Sequence, residues 1–256
     1  MILITQIRNA TQIIDYGGTR FLIDPIFAPK GAYPPFPCLL RPDVRNPMHD
    51  LPIPMRDLMN VDAVIVTHLH AGHFDEEAKR ALPKDMVVYV QNEADCSELT
   101  TAGFRNVHVL GEGSMFGEVQ LIRTSGRHAY DDETADALGE VCRVMLRHAP
   151  DKTVYYTGDT VWCTEVEEAT SAYKPLIIGA NAGANSAMDK QLILGREELL
   201  RIHEAAPDAQ IVATHMEAVN HWTLSRAELR AFAEEHGFSG ILSIPEDGET
   251  IRFSDR

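Results

Sequence analysis

Three of the chain's 11 histidines, His68, His70 and His73, fall within six residues, directly behind the apolar run Ala63-Val64-Ile65-Val66. In an extended chain side chains alternate, so His68 and His70 face one side, and a tight turn would bring His73 round to join them. Neutral imidazole is the commonest ligand for zinc and related ions. Three of them converging at the end of a buried strand point to a metal site; the plainer alternative is a surface loop that holds three histidines by chance. A divalent cation held by neutral ligands lowers the pKa of its water from 15.7 to about 7, which supplies a hydroxide nucleophile at neutral pH, and it polarises the carbonyl or phosphoryl oxygen under attack. No serine or cysteine nucleophile is then required. The chain has neither G-x-S-x-G nor a P-loop, and Gly111-Glu112-Gly113-Ser114-Met115-Phe116-Gly117 reads as a turn.

The elements that must position these residues follow from periodicity. Short β-rich runs over Ile2 to Ile7, Gln12 to Tyr16 and Arg20 to Ile23, with a Gly17-Gly18 turn, predict an antiparallel meander. From Pro25 to Pro54 the texture changes: nine of the 14 prolines fall here, with Tyr33 and Phe36 among them. Such an aperiodic stretch, from about residue 25 to 57, predicts a functional loop or an interface arm rather than a linker. Beyond it strand and helix alternate: strands at Val61 to Thr67 and Met86 to Val90, helices at Asp75 to Leu82 and Glu93 to Ala102. A second β-rich block has strands at Val119 to Thr124, Val141 to Arg147 and Thr153 to Thr157. The last third alternates again, with strands at Leu176 to Gly179, Gln210 to Thr214 and Gly240 to Ile244 and helices at Arg196 to Glu204 and Ser225 to His236. Two mixed halves predict an α/β fold: one domain over residues 1–256, an αβ/βα sandwich of two mixed β-sheets flanked by helices.

The motif His68-Leu69-His70-Ala71-Gly72-His73 resembles the H-x-H-x-D-H signature of the metallo-β-lactamase superfamily. That family's later ligands, a His, an Asp and a His, fall at strand ends. The matching positions are His128 in Ser125-Gly126-Arg127-His128, Asp159 in Thr157-Gly158-Asp159-Thr160 and His215 in Val212-Ala213-Thr214-His215. The resemblance thus implies metal ligands His68, His70, His73, His128, Asp159 and His215. Ala10-Thr11, Leu22-Ile23-Asp24-Pro25, His73-Phe74-Asp75 and the run His215 to His221 are further similar to the branch of ascorbate-6-phosphate lactonase-like hydrolases, over nearly the whole chain from Ile2 to Glu249. A fold of this kind hosts many reactions, so the resemblance speaks for metal chemistry more than for substrate.

Two positions depart from that pattern. Gly72 stands where the family has the Asp that binds a second metal, and Arg8-Asn9 where lactonase-like relatives carry Gly-His. Either one metal suffices, or another carboxylate, Glu217 or Asp75, replaces the missing one. Asp75, followed by Glu76 and Glu77, also reads as a helix cap. Glu217 and His221, with Asn220, form a polar cluster just behind a ligand strand. They are candidates for the catalytic set beside Asp159, which would orient the hydroxide, with His221 as proton donor to the leaving group.

These residues predict a metal-dependent hydrolase acting on a small ester or lactone, one that is anionic because a cluster short of one carboxylate has surplus positive charge. Zinc is the first expectation, manganese or iron the alternatives, as one ion or two. A mononuclear-iron oxidoreductase and a non-catalytic metal-binding protein are the rival readings. Composition narrows the partners. With 38 acidic against 23 basic residues the formal charge is −15, which disfavours nucleic acid and leaves a small molecule as the partner. No apolar run approaches the roughly 20 residues of a membrane span, and the start has no basic flank of a signal peptide, so a cytoplasmic protein is expected. Cys38, Cys96, Cys142 and Cys163 have no metal-cage spacing and read as small buried hydrophobes. The proline-rich arm could be a wall over the site or a contact in a homo-oligomer.

Overall fold

The computed structural model describes residues 1–254. The first sheet begins with the expected meander, β1 (Ile2–Arg8), β2 (Thr11–Tyr16) and β3 (Thr19–Ile23). A short helix α1 (Met55–Leu58) follows, then β4 (Ala63–Ile65), α2 (Glu76–Ala81), β5 (Val87–Val90), α3 (Glu93–Thr101) and β6 (Val107–Val109). The second sheet starts with β7 (Ser114–Phe116) and β8 (Val119–Ser125) and continues, past α4 (Asp132–Leu138), with β9 (Cys142–Arg147) and β10 (Val154–Tyr156). After α5 (Thr164–Tyr173) come β11 (Ile177–Asn181), the small hairpin β12 (Ser186–Ala187) and β13 (Lys190–Gln191), then α6 (Arg196–Ala205), β14 (Gln210–Thr214), α7 (Arg226–Glu235) and β15 (Leu242–Ser243). The last strand, β16 (Thr250–Phe253), returns to the first sheet.

The strand orders are β16-β1-β2-β3-β4-β5-β6 and β15-β14-β11-β10-β9-β8-β7. Each sheet is antiparallel at one end and parallel at the other, since β3 to β6 run parallel in the first and β10, β11, β14 and β15 in the second. Period-two alternation sorts the side chains. In β4, Ala63 and Ile65 enter the core between the sheets while Val64 faces the opposite way, with Phe74, Leu99 and Phe104. In β14, Val212 points between the sheets, whereas Ile211 and Ala213 pack with Leu199, Ile202 and Leu229 of α6 and α7. These helices bury residues three and four apart, one face of a 3.6-residue period. The αβ/βα sandwich read from the sequence is the fold found.

Some elements differ from expectation. The strand predicted over Val61 to Thr67 is only β4, because Thr67 leaves the sheet and gives both its N–H (2.7 Å) and its hydroxyl (2.8 Å) to Asp24. Gly111 to Gly117 is not all turn: Ser114–Phe116 pairs antiparallel with Val119–Leu121 as a hairpin arm. Helices α1, α4 and α5 lie where the sequence predicts none, and α4 buries no residue, so it offers no apolar period to read. The aperiodic arm is ordered by contacts with distant residues. Arg8, fully buried, donates to the carbonyls of His49 (2.7 Å), Ile26 (3.0 Å) and Ala28 (2.9 Å). Asp75 caps α2 at Ala78 N–H and accepts Phe27 N–H (3.0 Å) and Ala28 N–H (2.8 Å). All four cysteines are free thiols; Cys38 and Cys142 are buried and the other two half-buried. Among the described residues no helix is long and apolar enough to cross a membrane.

Candidate metal centre

Four loops leave the C-terminal ends of β4, β8, β10 and β14, and each delivers expected residues to one place. After β4 the chain turns on the carbonyl of His70, which accepts His73 N–H (2.8 Å) and Phe74 N–H (3.0 Å), and this turn swings His73 beside His68. The loops after β8, β10 and β14 supply His128, Asp159 and His215. One possible ligand atom each from His68, His70 and His128 lie within 4.8 Å of one another, as do those from His68, His73 and Asp159. His215 Nε2 is 3.2 Å from His73 Nε2 and 3.7 Å from Asp159 Oδ1, so all six expected ligands meet.

Backbone strain accompanies this convergence. Asn9, Asp24, Ala184, His215 and Glu217 are non-glycine residues with φ between 43° and 59°, all at or next to the site. Such residues cost on the order of 1–3 kcal/mol each and persist where surrounding contacts over-determine them. Gly158, also left-handed, is required in a second sense, because a Cβ there would approach the Cys142 carbonyl oxygen to 2.6 Å.

The electrostatics suit a cation. Burial holds the imidazoles of His70 and His215 down to about 4 and that of His221 to about 3, with neighbouring histidines adding to the effect, and it pushes His68 well below its ordinary value. These rings are uncharged at neutral pH, the form in which imidazole binds metal. For His73 burial acts in the same direction, but the carboxylates of Asp159 (3.0 Å) and Asp24 (2.8 Å) outweigh it and raise its pKa. Burial opposes ionisation of Asp159, yet His73 and His215 hold its carboxyl well below the usual range. Its Oδ1 accepts from Asn181 Nδ2 at 2.6 Å. His68 Nε2 is buried with no hydrogen-bond partner among the described residues, a cost of about 1–3 kcal/mol that a ligated ion removes. Five imidazoles and one carboxylate fit a divalent ion of the zinc, manganese or iron kind.

Beside the cluster opens a cavity of about 270 Å³ whose lining includes Phe36, Leu138, Leu192, Val219 and His221. His221 therefore reaches the site. Glu217 does not: its carboxylate accepts Arg226 Nη1 (2.7 Å) and the Arg226 backbone N–H (3.1 Å) at the start of α7, so the catalytic role expected for it is not supported by its place. Asp75 is likewise occupied as a cap and arm anchor, and neither carboxylate replaces the one absent at Gly72. In that region stands Asn9, whose Nδ2 donates to the Gly72 carbonyl (3.0 Å) and lies 3.3 Å from His215 Nε2. The two positions that depart from the family pattern thus touch each other.

Residues with no motif to mark them complete the surroundings. Asn220, fully buried, holds the arm over the cavity: its side chain accepts Phe36 N–H (2.9 Å) and Asn46 Nδ2 (2.8 Å), and donates to the Phe36 carbonyl (2.9 Å). The Phe36 ring stands edge-on to His221, with centroids 5.1 Å apart. Asn185 lies between His215 and His221, within 3.3 and 3.2 Å of their nitrogens. Asn220 lies in the polar cluster that the sequence marks behind His215, and Phe36 in the proline-rich arm, whereas nothing in the sequence marks Asn185.

Comparison with known proteins gives the family of the chain. UPF0173 protein YddR of Bacillus subtilis (strain 168) is 47% identical over 252 residues, 98% of this chain and 99% of its own length. Among solved structures, isothiocyanate hydrolase from Delia radicum gut bacteria superposes with a TM-score of 0.93 at 43% identity, covering 98% of this chain and 99% of that one. A possible metal-dependent hydrolase from Veillonella parvula DSM 2008 gives a TM-score of 0.94 at 38% identity over the same shares. Both solved structures are named hydrolases, the class expected from the sequence. The profile of the β-lactamase superfamily domain matches residues 19–216, and the chain belongs to that family, as a metal-dependent hydrolase.

Proposed function

We propose that the chain hydrolyses a small, uncharged electrophile of the isothiocyanate type, with His68, His70, His128, His73, Asp159 and His215 as ligands of one or two divalent ions, zinc first. The observation that carries this reading is the cavity wall. Phe36, Pro37, Leu138, Ala187, Leu192 and Val219 face the histidine cluster, and no Lys or Arg is among the lining residues. Such a wall takes the apolar substituent of R–N=C=S and offers a charged one no Lys or Arg counter-ion. The likeness to isothiocyanate hydrolase over 98% of the chain supports the same reading.

A bound divalent ion supplies an acidified water and polarises the electrophile. The chain's own residues do the rest. Phe36, Leu192 and Val219 hold the substituent and exclude bulk water from it. Asp159, fixed by Asn181, orients the attacking water by accepting one of its hydrogens. As the water oxygen joins the central carbon, His221 accepts the second proton and returns it to the substrate nitrogen. The product is a thiocarbamate, which breaks down to an amine and carbonyl sulfide, so atoms and charge balance without any further reactant.

A small anionic ester or lactone is the second reading, favoured by the ligand set: with one carboxylate among the six, two divalent ions would keep surplus positive charge that an anion offsets. Zinc-loaded and manganese-loaded protein should be assayed against allyl and phenethyl isothiocyanate, sugar lactones and their phosphates, aryl esters, phosphodiesters and β-lactams. Amine release from the isothiocyanates with little turnover elsewhere is expected. Turnover confined to the lactone phosphates would establish the second reading in place of the first.

A further inference from the structure

Four of the five imidazoles in the cluster rest one ring nitrogen on an oxygen and leave the other facing inward. His68 Nδ1 meets the Thr67 hydroxyl (3.1 Å), His70 Nε2 the Leu138 carbonyl (3.0 Å), His73 Nδ1 the Asp24 carboxylate (2.8 Å) and His128 Nδ1 the Leu192 carbonyl (3.0 Å). In that arrangement the outer N–H donates, the tautomer is set, and the inner lone pair is left for a cation. His215 is the exception. Its inner Nε2 faces His73 and Asp159, but its outer Nδ1 lies 3.3 Å from the amide nitrogen of Asn185, which is also 3.2 Å from Nε2 of His221.

An amide nitrogen at this junction makes both rings acceptors. His215 would then carry its proton on the inner nitrogen and have no lone pair for a cation. The other end of the amide is also unsatisfied: Asn185 is 1% exposed, and its Oδ1 has no partner. That oxygen and the His215 carbonyl oxygen crowd the same face of Gly183, 2.4 and 2.3 Å from where a Cβ would stand. A half-turn of the carboxamide exchanges the two ends. It places an acceptor between the rings and an NH₂ donor toward the His215 carbonyl, which removes the orphaned oxygen.

We propose that Asn185 is a positioning residue that couples cation binding at His215 to the tautomer of His221. With its oxygen at the junction it accepts Nδ1–H from His215 and Nε2–H from His221, so that His221 presents a bare Nδ1 to the reaction. His221 lines the cavity, and its Nδ1 is buried without a partner among the described residues. In this tautomer the ring takes a proton; in the other it can only give one. The backbone holds the junction in place, since Ser186 N–H donates to the His221 carbonyl (2.9 Å) and Leu192 N–H to that of Asn185 (2.8 Å). The inference deepens the function proposed above and rests on its assignment of His215 as a ligand.

Two-bond ¹H–¹⁵N spectra of zinc-loaded, histidine-labelled protein distinguish the two tautomers, and the signals lost in His221→Asn identify the ring. We expect His221 as the Nε2–H form. Asn185→Asp keeps an acceptor oxygen and should keep both this tautomer and zinc affinity. Asn185→Leu should lose the tautomer and weaken zinc by about 10- to 100-fold, the usual cost of removing an outer partner of a ligating histidine. A proton on Nδ1 of His221 in the zinc-loaded wild type overturns the proposal, and so does Asn185→Leu with unchanged tautomer and affinity. Should Asn185→Leu fail to fold, the wild type and Asn185→Asp decide. The expected spectrum in a protein that turns over none of the substrate panel overturns the substrate reading alone.

Discussion

On one side of Asp159 stand His68, His70 and His128, whose outer nitrogens rest on neutral oxygens, the Thr67 hydroxyl and the carbonyls of Leu138 and Leu192. On the other stand His73 and His215, held by the Asp24 carboxylate and by the side-chain amides of Asn9 and Asn185. The first side keeps every residue that the family pattern implies for it. The second gathers both departures, Gly72 and Asn9, and has an amide nitrogen 3.3 Å from His215 Nε2. A carboxylate brings a negative charge to a cation and an amide does not, so the two sides should differ in affinity although both are built from buried or half-buried imidazoles. One fold can therefore keep one side of such a cluster intact while altering the other.

The largest expected effect breaks the stronger side. His70 donates through Nε2 to Leu138, which leaves Nδ1 for the ion, and alanine removes that ligand outright. Protein purified without chelator should contain about one tightly held divalent ion per chain. His70→Ala should lose most of it, with affinity falling by more than the roughly 10- to 100-fold that an outer partner is worth. Hydrolytic activity should fall with it. Elemental analysis that finds equal metal in both proteins would sink the assignment of this side.

A smaller effect sharpens the comparison by repairing the weaker side. A Cβ at Gly72 would meet only Asn9 Nδ2, at an ordinary contact distance of 3.9 Å, and the residue is not left-handed, so a side chain can be accommodated. Gly72→Asp returns a carboxylate between His70 and His73. Calorimetric titration of metal into the stripped protein should show the second binding step tightened by about tenfold, or about 1.4 kcal/mol, with the first step little changed. An unchanged second step would mean that another group already fills the role and that the two sides are not unequal as argued.

The contrast between the sides also marks what could be read from the chain alone. His68, His70 and His73 were legible because period-two alternation and a tight turn are local properties, and β4, β8, β10 and β14 were legible from their own apolar runs. The contact of Asn9 with Gly72 spans 63 residues, that of Asn185 with His215 spans 30 and that of Asn220 with Phe36 spans 184. An asparagine has no periodic signature, so its role depends on folded neighbours that no short window contains. The surface helix α4 buries nothing, and β7 is three residues long between glycines at 111, 113 and 117, which makes it look like the turn that adjoins it. Glu217 shows the same limit: its nearness in sequence to His215 says nothing of Arg226, which takes its carboxylate.

Glu217 yields the smallest prediction, and it tests whether any carboxylate other than Asp159 serves the weaker side. Glu217 and Arg226 are 26% and 10% exposed at their side chains and meet at 2.7 Å, while the other carboxylate oxygen accepts the first N–H of α7. Arg226 keeps a second acidic partner, Asp247, at 2.7 Å, so losing the charge of Glu217 does not strand the guanidinium. A negative charge at a helix N-terminus is worth about 0.3–1 kcal/mol and a partly screened ion pair about the same. Glu217→Gln preserves the shape and one acceptor oxygen and removes only the charge. It should therefore cost about 1 kcal/mol of stability, a fall in melting temperature of about 2–4 °C for a chain of this size. Metal content, both binding steps and kcat/KM should stay within about twofold, well under the 1.4 kcal/mol that a tenfold change represents. A weakened second metal step in this variant, with the melting temperature unmoved, would place Glu217 at the centre after all, and would mean that its pairing with Arg226 gives way when the ion binds.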